Sequence, residues 1–151
     1  MKNLLTIVVV QLAFASYLYS QFSLDKFLDL KWSHDENSIK KTYASTTFEN
    51  KKVKGRSIHA VDTLEKFKIK FGFSFTNDNI FESKYILNVV EENAVAEKLF
   101  KYLTSEMTKK FGKDYKKASL MGAKMYVWKS DKGEKIMLSL IQSVCWLNIM
   151  K

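Results

Sequence analysis

Proline is absent from this 151-residue chain, glycine occurs only five times, and there is one cysteine, one arginine and two histidines. Without proline-rich or glycine-rich stretches, no flexible linker divides the chain, so the sequence predicts a single domain. The lone Cys145 excludes an intrachain disulfide and, in its apolar surroundings, is expected to be a small buried hydrophobe. Two separated histidines and one cysteine make a poor ligand set for zinc, so neither a metal nor a cofactor is expected.

The positive charge of the chain comes almost entirely from lysine. The net charge is +9, and Arg56 is the only basic residue that is not a lysine. Lysine is a flexible point charge, whereas bidentate contacts to phosphates and guanine edges favour arginine. A nucleic-acid partner is therefore not expected, and much of the lysine is interpreted as a solvated surface.

The first twenty residues have the order of a secretory signal peptide. Lys2 is followed by the apolar segment Leu4–Leu18, and small residues allow cleavage after Ala15 or after Ser20. An uncleaved anchor is the alternative, although the segment is short for a bilayer span. The sequence thus predicts a signal peptide over 1–20 and an exported domain, periplasmic or secreted, over 21–151.

Two segments have helical patterns. Ser33 as N-cap with Glu36 three residues later forms a capping box and predicts a short helix over Asp35–Ala44. From Glu91 to Phe111, apolar residues recur on one helical face, and Gly112 follows where a helix C-cap belongs. The second pattern predicts a long amphipathic helix.

The remaining periodic segments favour strands. Phe67–Phe75 alternates apolar and polar residues, which indicates a strand with one buried and one solvated face. Lys51–Thr63 is more polar and suggests a weak or edge strand. The other predicted strands are Phe81–Leu87, Met121–Lys129, Lys135–Gln142 and Val144–Met150. The order α-βββ-α-βββ predicts an α+β fold in which about six antiparallel strands carry two helices on one face.

Two of these motifs resemble a known superfamily. The sequence Trp-Ser-x-Asp-Glu-x-x-Ile-Lys over 32–40 and the Phe-x-Phe-x-Phe-x-Asn-Asp-x-Ile run over 71–80 resemble the helix and hairpin of small exported bacterial domains. That superfamily contains the β-lactamase-inhibitor proteins and the small outer-membrane-assembly lipoproteins. The resemblance covers roughly 28–88 and, more loosely, the second half of the chain, and it implies a helix-on-sheet fold that binds another protein. The chain lacks the lipid-attachment cysteine of those lipoproteins, and no functional residue is carried over.

No constellation of residues indicates catalysis. His34 lies in the first turn of a predicted helix, and His59 and Asp62 fall on opposite faces of a strand. Asp114, Asp131 and Glu134 occupy predicted helix ends and turns, where charge is common. The sequence contains no phosphate-binding glycine loop, nucleophile elbow or zinc-protease helix motif. It therefore predicts no catalytic, metal or cofactor-binding residue and a protein that is not an enzyme.

Two clusters are candidates for interaction surfaces. Three aromatic residues, Tyr126, Trp128 and Trp146, are predicted to share the sheet face away from the helices, where they would form a recognition surface or else complete the core. A basic cluster flanks Tyr115 after the long helix, either as solvated lysines or as a patch for an anionic partner. Its members are Lys109, Lys110, Lys113, Lys116 and Lys117.

Export, the helix-on-sheet order and the lack of catalytic motifs together favour a non-catalytic binding domain. The expected partner is a protein or a component of the cell envelope. The alternative is a carrier of a small apolar ligand or lipid, which requires a pocket between the long helix and the sheet. A hydrolase of unfamiliar type would require polar side chains that converge in a cleft.

Overall fold

The computed structural model describes residues 22–52, 56–120 and 122–151. The predicted signal peptide over 1–20 and Met121, the first residue of one predicted strand, lie outside the described residues. The described chain is an α+β structure in which one antiparallel sheet of eight strands carries a long helix, with two short helices at the N-terminal end.

The helices are α1 (Leu24–Leu28), α2 (Glu36–Thr42) and α3 (Asn93–Phe111). The predicted capping box is wrong: Asp35 is the N-cap of α2, and its carboxylate accepts a hydrogen bond of 2.8 Å from the Ser38 amide. Glu36 forms ion pairs instead, each of 2.7 Å, with Lys40 and Arg56. The long helix is confirmed, and it ends at Gly112, whose φ of 87° suits a residue without a side chain.

The eight strands form two four-stranded meanders that meet at the centre of the sheet. The sheet order is β1-β2-β3-β4-β8-β7-β6-β5, and every neighbouring pair is antiparallel. The strands are β1 (Glu49–Lys52), β2 (Arg56–Leu64), β3 (Phe67–Phe75), β4 (Phe81–Asn88), β5 (Lys116–Leu120), β6 (Ala123–Lys129), β7 (Lys135–Ile141) and β8 (Val144–Met150).

The predicted strand count of six is too low. The segment expected as one weak or edge strand over Lys51–Thr63 contributes to two strands, and β2 lies inside the sheet rather than at its edge. The strand β5 occupies part of the predicted basic cluster. Both added strands are short, lysine-bearing edge strands, which is how antiparallel sheets discourage pairing with other chains.

The core lies on one face of the sheet. The alternate residues of β3 (Phe67, Ile69, Phe71, Phe73 and Phe75) are all buried, and α3 packs its own buried stripe of Ala96, Leu99, Leu103 and Met107 onto the other half. Cys145 is fully buried in this core, which confirms the expectation from sequence, and burial raises the pKa of its thiol to about 12. Below, the covered side is called the helix face and the opposite side the open face.

An N-terminal strap, residues 22–32, closes the helix face over β3 and β4. The ring of Phe22 lies 4.6 Å from that of Phe71, and the ring of Trp32 lies 4.7 Å from that of Phe81. Trp32 holds the C-terminal end of the strap in place, because its indole N–H donates a hydrogen bond of 2.7 Å to Glu134.

A fully buried lysine fixes the middle of this strap. The ammonium of Lys84, on β4, donates hydrogen bonds to the carbonyl oxygens of Phe27 at 2.9 Å, Leu28 at 2.7 Å and Leu30 at 3.4 Å. The first two carbonyls belong to the last turn of α1, where backbone acceptors have no helical partner. Burial lowers the pKa of Lys84 to about 8, against the opposing effect of Glu134 and then Asp29.

Candidate interaction surface

The open face carries a row of apolar side chains that crosses the sheet. In strand register, Val61, Lys70, Leu87, Trp146, Ser139 and Met125 stand side by side on six consecutive strands, from β2 to β6. The row is apolar except for Lys70 and Ser139. The serine hydroxyl is buried and donates to the Trp146 carbonyl at 3.3 Å. Lys70 is therefore the one charge within this open-face row.

Several of these side chains are unusually exposed for apolar residues. Val61 is 52% exposed and Trp146 is 39% exposed. At the adjoining end of the β7–β8 hairpin, Ile141 and Val144 pair with each other on the same face and are 48% and 37% exposed. Contiguous apolar groups on a sheet face mark an interaction site more often than scattered ones do.

The charges of the open face are nearly all positive. Among the strand residues that have a register partner, six lysines and one carboxylate, that of Glu49, stand on this face, while Glu82 lies in the bulge of β4; the lysines are Lys51, Lys68, Lys70, Lys116, Lys129 and Lys135. The lysine and arginine ion pairs of the described residues use other side chains, namely Lys40, Arg56, Lys109 and Lys110. The open face is thus an apolar row among uncompensated lysines.

In the middle of the open face, Gly72 leaves room for the Tyr85 side chain to lie against the backbone of β3. A Cβ at Gly72 would lie 2.6 Å from the Tyr85 ring and 2.8 Å from the Ile58 carbonyl oxygen, so the tyrosine crosses β3 in direct contact with the backbone. Burial raises the pKa of the Tyr85 hydroxyl. The flat tyrosine leaves the neighbouring apolar row accessible from above.

At the β1 edge of this face, His59 is buried and its Nε2 lies 3.1 Å from the exposed Glu49 carboxylate. Its Nδ1 has no hydrogen-bond partner among the described residues. Asp62 stands on the helix face of β2, which agrees with the expectation that His59 and Asp62 point apart.

The three aromatics predicted to share the uncovered face are divided between the two faces, and Trp128 follows the alternative expectation that it completes the core. Trp128 and Tyr126 stand in register with Ile136 and Leu138 on the helix face. Trp128 is fully buried there, and its indole N–H donates to the Gly112 carbonyl at 3.2 Å, beneath the end of α3. Only Trp146 lies on the open face. Met125 and Val127 stand on the open face where the two other aromatics were expected. The alternation of β6 defines two sets of side chains but does not indicate which set faces α3.

The predicted basic patch is likewise dispersed. Lys109 pairs with Glu106 and Lys110 with Asp29, each at 2.6 Å, so both charges are compensated. Lys117 lies over the rings of Tyr115 and Tyr126 at 5.6 and 5.7 Å on the helix side, while Lys116 stands on the open face. Lys113 is exposed in the loop after α3.

The carboxylates considered for catalysis have other surroundings. Glu134 holds the Trp32 indole, Asp131 lines the same cleft of about 550 Å³ between the strap and the β6–β7 turn, and Asp114 is exposed in a loop. His34 is half-buried in the turn that precedes α2. In the described ranges, no group of three or more histidine, cysteine or acidic side chains is placed to hold a metal ion.

In the part of the chain that the structure describes, α3 packs its buried side chains against the sheet. Leu99, Leu103 and Met107 are fully buried there. A groove of about 640 Å³ lies beside the helix instead, lined by Phe67 and Tyr102 together with Glu65, Lys66, Lys98 and Lys101. It is an open surface groove, so it does not provide the pocket between helix and sheet on which the carrier hypothesis depends.

Comparisons of the chain with models of protein families, with curated proteins and with solved structures found no match. The resemblance to the β-lactamase-inhibitor and outer-membrane-assembly superfamily therefore stays a prediction. Within the part of the chain that the structure describes, no helix has both the length and the hydropathy that a membrane span needs.

Proposed function

We propose that this protein is an exported, non-catalytic binding protein that engages another protein through the open face of its sheet. One observation carries the proposal. Trp146, on the central strand β8, is exposed in the middle of an apolar row on a sheet face that no described helix covers. Exposed tryptophans near the centre of such a patch supply much of the binding free energy in protein interfaces.

The charges of this face favour a different protein over a second copy of the chain. Two open faces brought together would oppose six lysines with six lysines, and Glu49 is the one carboxylate that the strand register places on each copy to offset them. Like charges held close in an interface cost binding free energy, whereas a partner of opposite charge gains both association rate and specificity.

Site-specific photo-crosslinking tests the proposal. A photoreactive amino acid is placed at 61, 125 or 146 on the open face, and at 98 or 101 on the exposed side of α3 as matched controls. Irradiation of the producing cells is expected to join the open-face variants, and not the controls, to one protein. The purified partner should then bind the wild type, lose at least tenfold in affinity with Trp146→Ser, and tolerate Ile80→Ser, which removes a still more exposed apolar group from a turn outside this face.

Three results would contradict the proposal. The first is equal crosslinking from both sides of the sheet, and the second is crosslinking to copies of the same chain only. The third is a purified partner that binds Trp146→Ser as tightly as the wild type. Fractionation of the same cells tests export, because a full-length chain retained in the cytosol would contradict the signal peptide.

A further inference from the structure

We infer that the segment recognised by the open face is an acidic amphipathic helix that places a carboxylate against Lys70. This inference rests on the proposed function and specifies the chemistry of the partner. It begins from the position of Lys70, which stands between Val61 and Leu87 in the apolar row and not at its rim.

A charge in this position constrains what can cover the row. Lys70 is half-buried already, and its ammonium has no ion pair or hydrogen bond among those found in the described chain. A purely apolar partner would desolvate this ammonium without compensation, which opposes the free energy gained from the surrounding apolar contacts. A partner carboxylate would instead form a charge-assisted hydrogen bond in a site that excludes water.

The same position argues against an acyl layer as the occupant. Membrane insertion requires apolar groups to enter several ångströms below the charged groups around them. Here Lys70 stands within the apolar row itself, and five further lysines lie on the same face. A protein segment that alternates apolar and acidic groups fits this pattern better.

The dimensions of the row suit a helix. From Lys70 on β3 to Met125 on β6 the row takes four strand steps, or about 19 Å at the usual strand spacing. A helix rises about 1.5 Å per residue, so about 13 residues span that distance. The helix α3 contacts β4, β8, β7 and β6 from the other side, which shows that these strands accommodate a helix on a face. Half-exposed methionines such as Met125 and Met137 add adaptable contacts of the kind that favour helix binding.

Synthetic peptides test this inference with the full chain. The probe is an 18-residue helix-forming peptide with leucines on one stripe and glutamates beside it, compared with otherwise identical peptides that carry glutamine or lysine. Titration calorimetry is expected to show that the glutamate peptide binds at least tenfold more tightly than the glutamine peptide, and that added salt reduces this difference.

A charge reversal then assigns the effect to one residue. Lys70→Glu should lower the affinity for the glutamate peptide by about tenfold and raise the affinity for the lysine peptide. A merely misfolded variant would not exchange its preference in this way. Lys98→Glu, on the exposed side of α3, is the matched control and should change either affinity less than twofold.

The outcomes separate this inference from the proposed function. The acidic-helix inference is overturned if the glutamate and glutamine peptides bind with equal affinity. It is also overturned if Lys70→Glu lowers the affinity for the glutamate and lysine peptides equally. Binding to vesicles of anionic lipid in preference to any peptide also overturns it and identifies a membrane surface as the occupant. If no peptide binds while the open-face crosslinks persist, the acidic helix is refuted and the protein partner stands.

Discussion

Replacing Lys84 with methionine removes the buried ammonium that holds the strap while nearly preserving side-chain volume. The two short hydrogen bonds, to the carbonyls of Phe27 and Leu28, are each worth about 1.5–3 kcal/mol because the donor is charged, or about 3–6 kcal/mol together. The fall of the Lys84 pKa from 10.5 to about 8 corresponds to about 3 kcal/mol against the buried charge, which methionine relieves. The lost hydrogen bonds outweigh the relieved cost of burying the charge by about 0–3 kcal/mol. We therefore expect Lys84→Met to lower the free energy of unfolding by about 1.5 kcal/mol, the middle of this range.

Urea denaturation of both proteins at pH 7 measures this difference. Amide hydrogen exchange should show that protection is lost first in residues 22–32, because the carbonyls that Lys84 binds lie there. Lys70→Met is the matched control. It removes a lysine that has no described partner and should change the free energy of unfolding by no more than about 0.5 kcal/mol. A Lys84→Met variant at least as stable as the wild type, with an equally protected strap, would refute the reasoning.

The pH dependence of the same pair of proteins provides an independent check. Because the folded pKa of Lys84 lies below the unfolded value, the unfolded chain binds more protons between about pH 8 and pH 10.5. The stability of the wild type relative to Lys84→Met should therefore rise through this window, by up to about 3 kcal/mol, and stay constant below it. A flat difference between pH 8 and 10.5 would show that Lys84 keeps its ordinary pKa in the fold, and a shrinking one would show that the folded pKa is raised; either result contradicts the prediction.

Three other residues allow simpler tests. Gly72→Ala should destabilise the protein by about 1–3 kcal/mol in thermal unfolding, because the added Cβ would lie 2.6 Å from the Tyr85 ring; an unchanged melting temperature would show that the ring moves freely. Asn88→Leu should cost about 2–4 kcal/mol in urea denaturation, since the amide makes three hydrogen bonds of 2.7–2.8 Å to backbone groups, and a loss below about 1 kcal/mol would contradict this. The Cys145 thiol should react with iodoacetamide at pH 8 only in denaturant, because it is fully buried and its pKa is raised to about 12; rapid labelling of the native protein would be inconsistent with that burial.

Sequence periodicity predicted the elements that have a strong apolar pattern of their own. The alternation over Phe67–Phe75 predicted β3 with its observed bounds, and the helical spacing before Gly112 predicted α3. The edge strands β1 and β5 were missed because Glu49–Lys52 and Lys116–Leu120 have few apolar residues and little buried surface to impose a pattern. Their strand conformation comes from pairing with a neighbour, which is a tertiary effect.

The interaction surface was predictable only in part, for a related reason. Alternation divides a strand into two sets of side chains, but it does not say which set a distant helix covers. Trp146 lies on the uncovered side, whereas Trp128 lies beneath the end of α3, and nothing within β6 indicates this. The position of Lys70 within an apolar row depends on the register of six strands and could not be read from any one of them.

The attachment of the strap by Lys84 has a consequence for the time course of folding. The backbone acceptors at 27, 28 and 30 lie 54 to 57 positions before the ammonium that satisfies them. A chain synthesised or translocated from its amino terminus exposes Phe22 and Phe27 well before β3 and β4 exist to cover them. These residues must stay unpaired over that interval, so the strap can dock only after β4 has emerged.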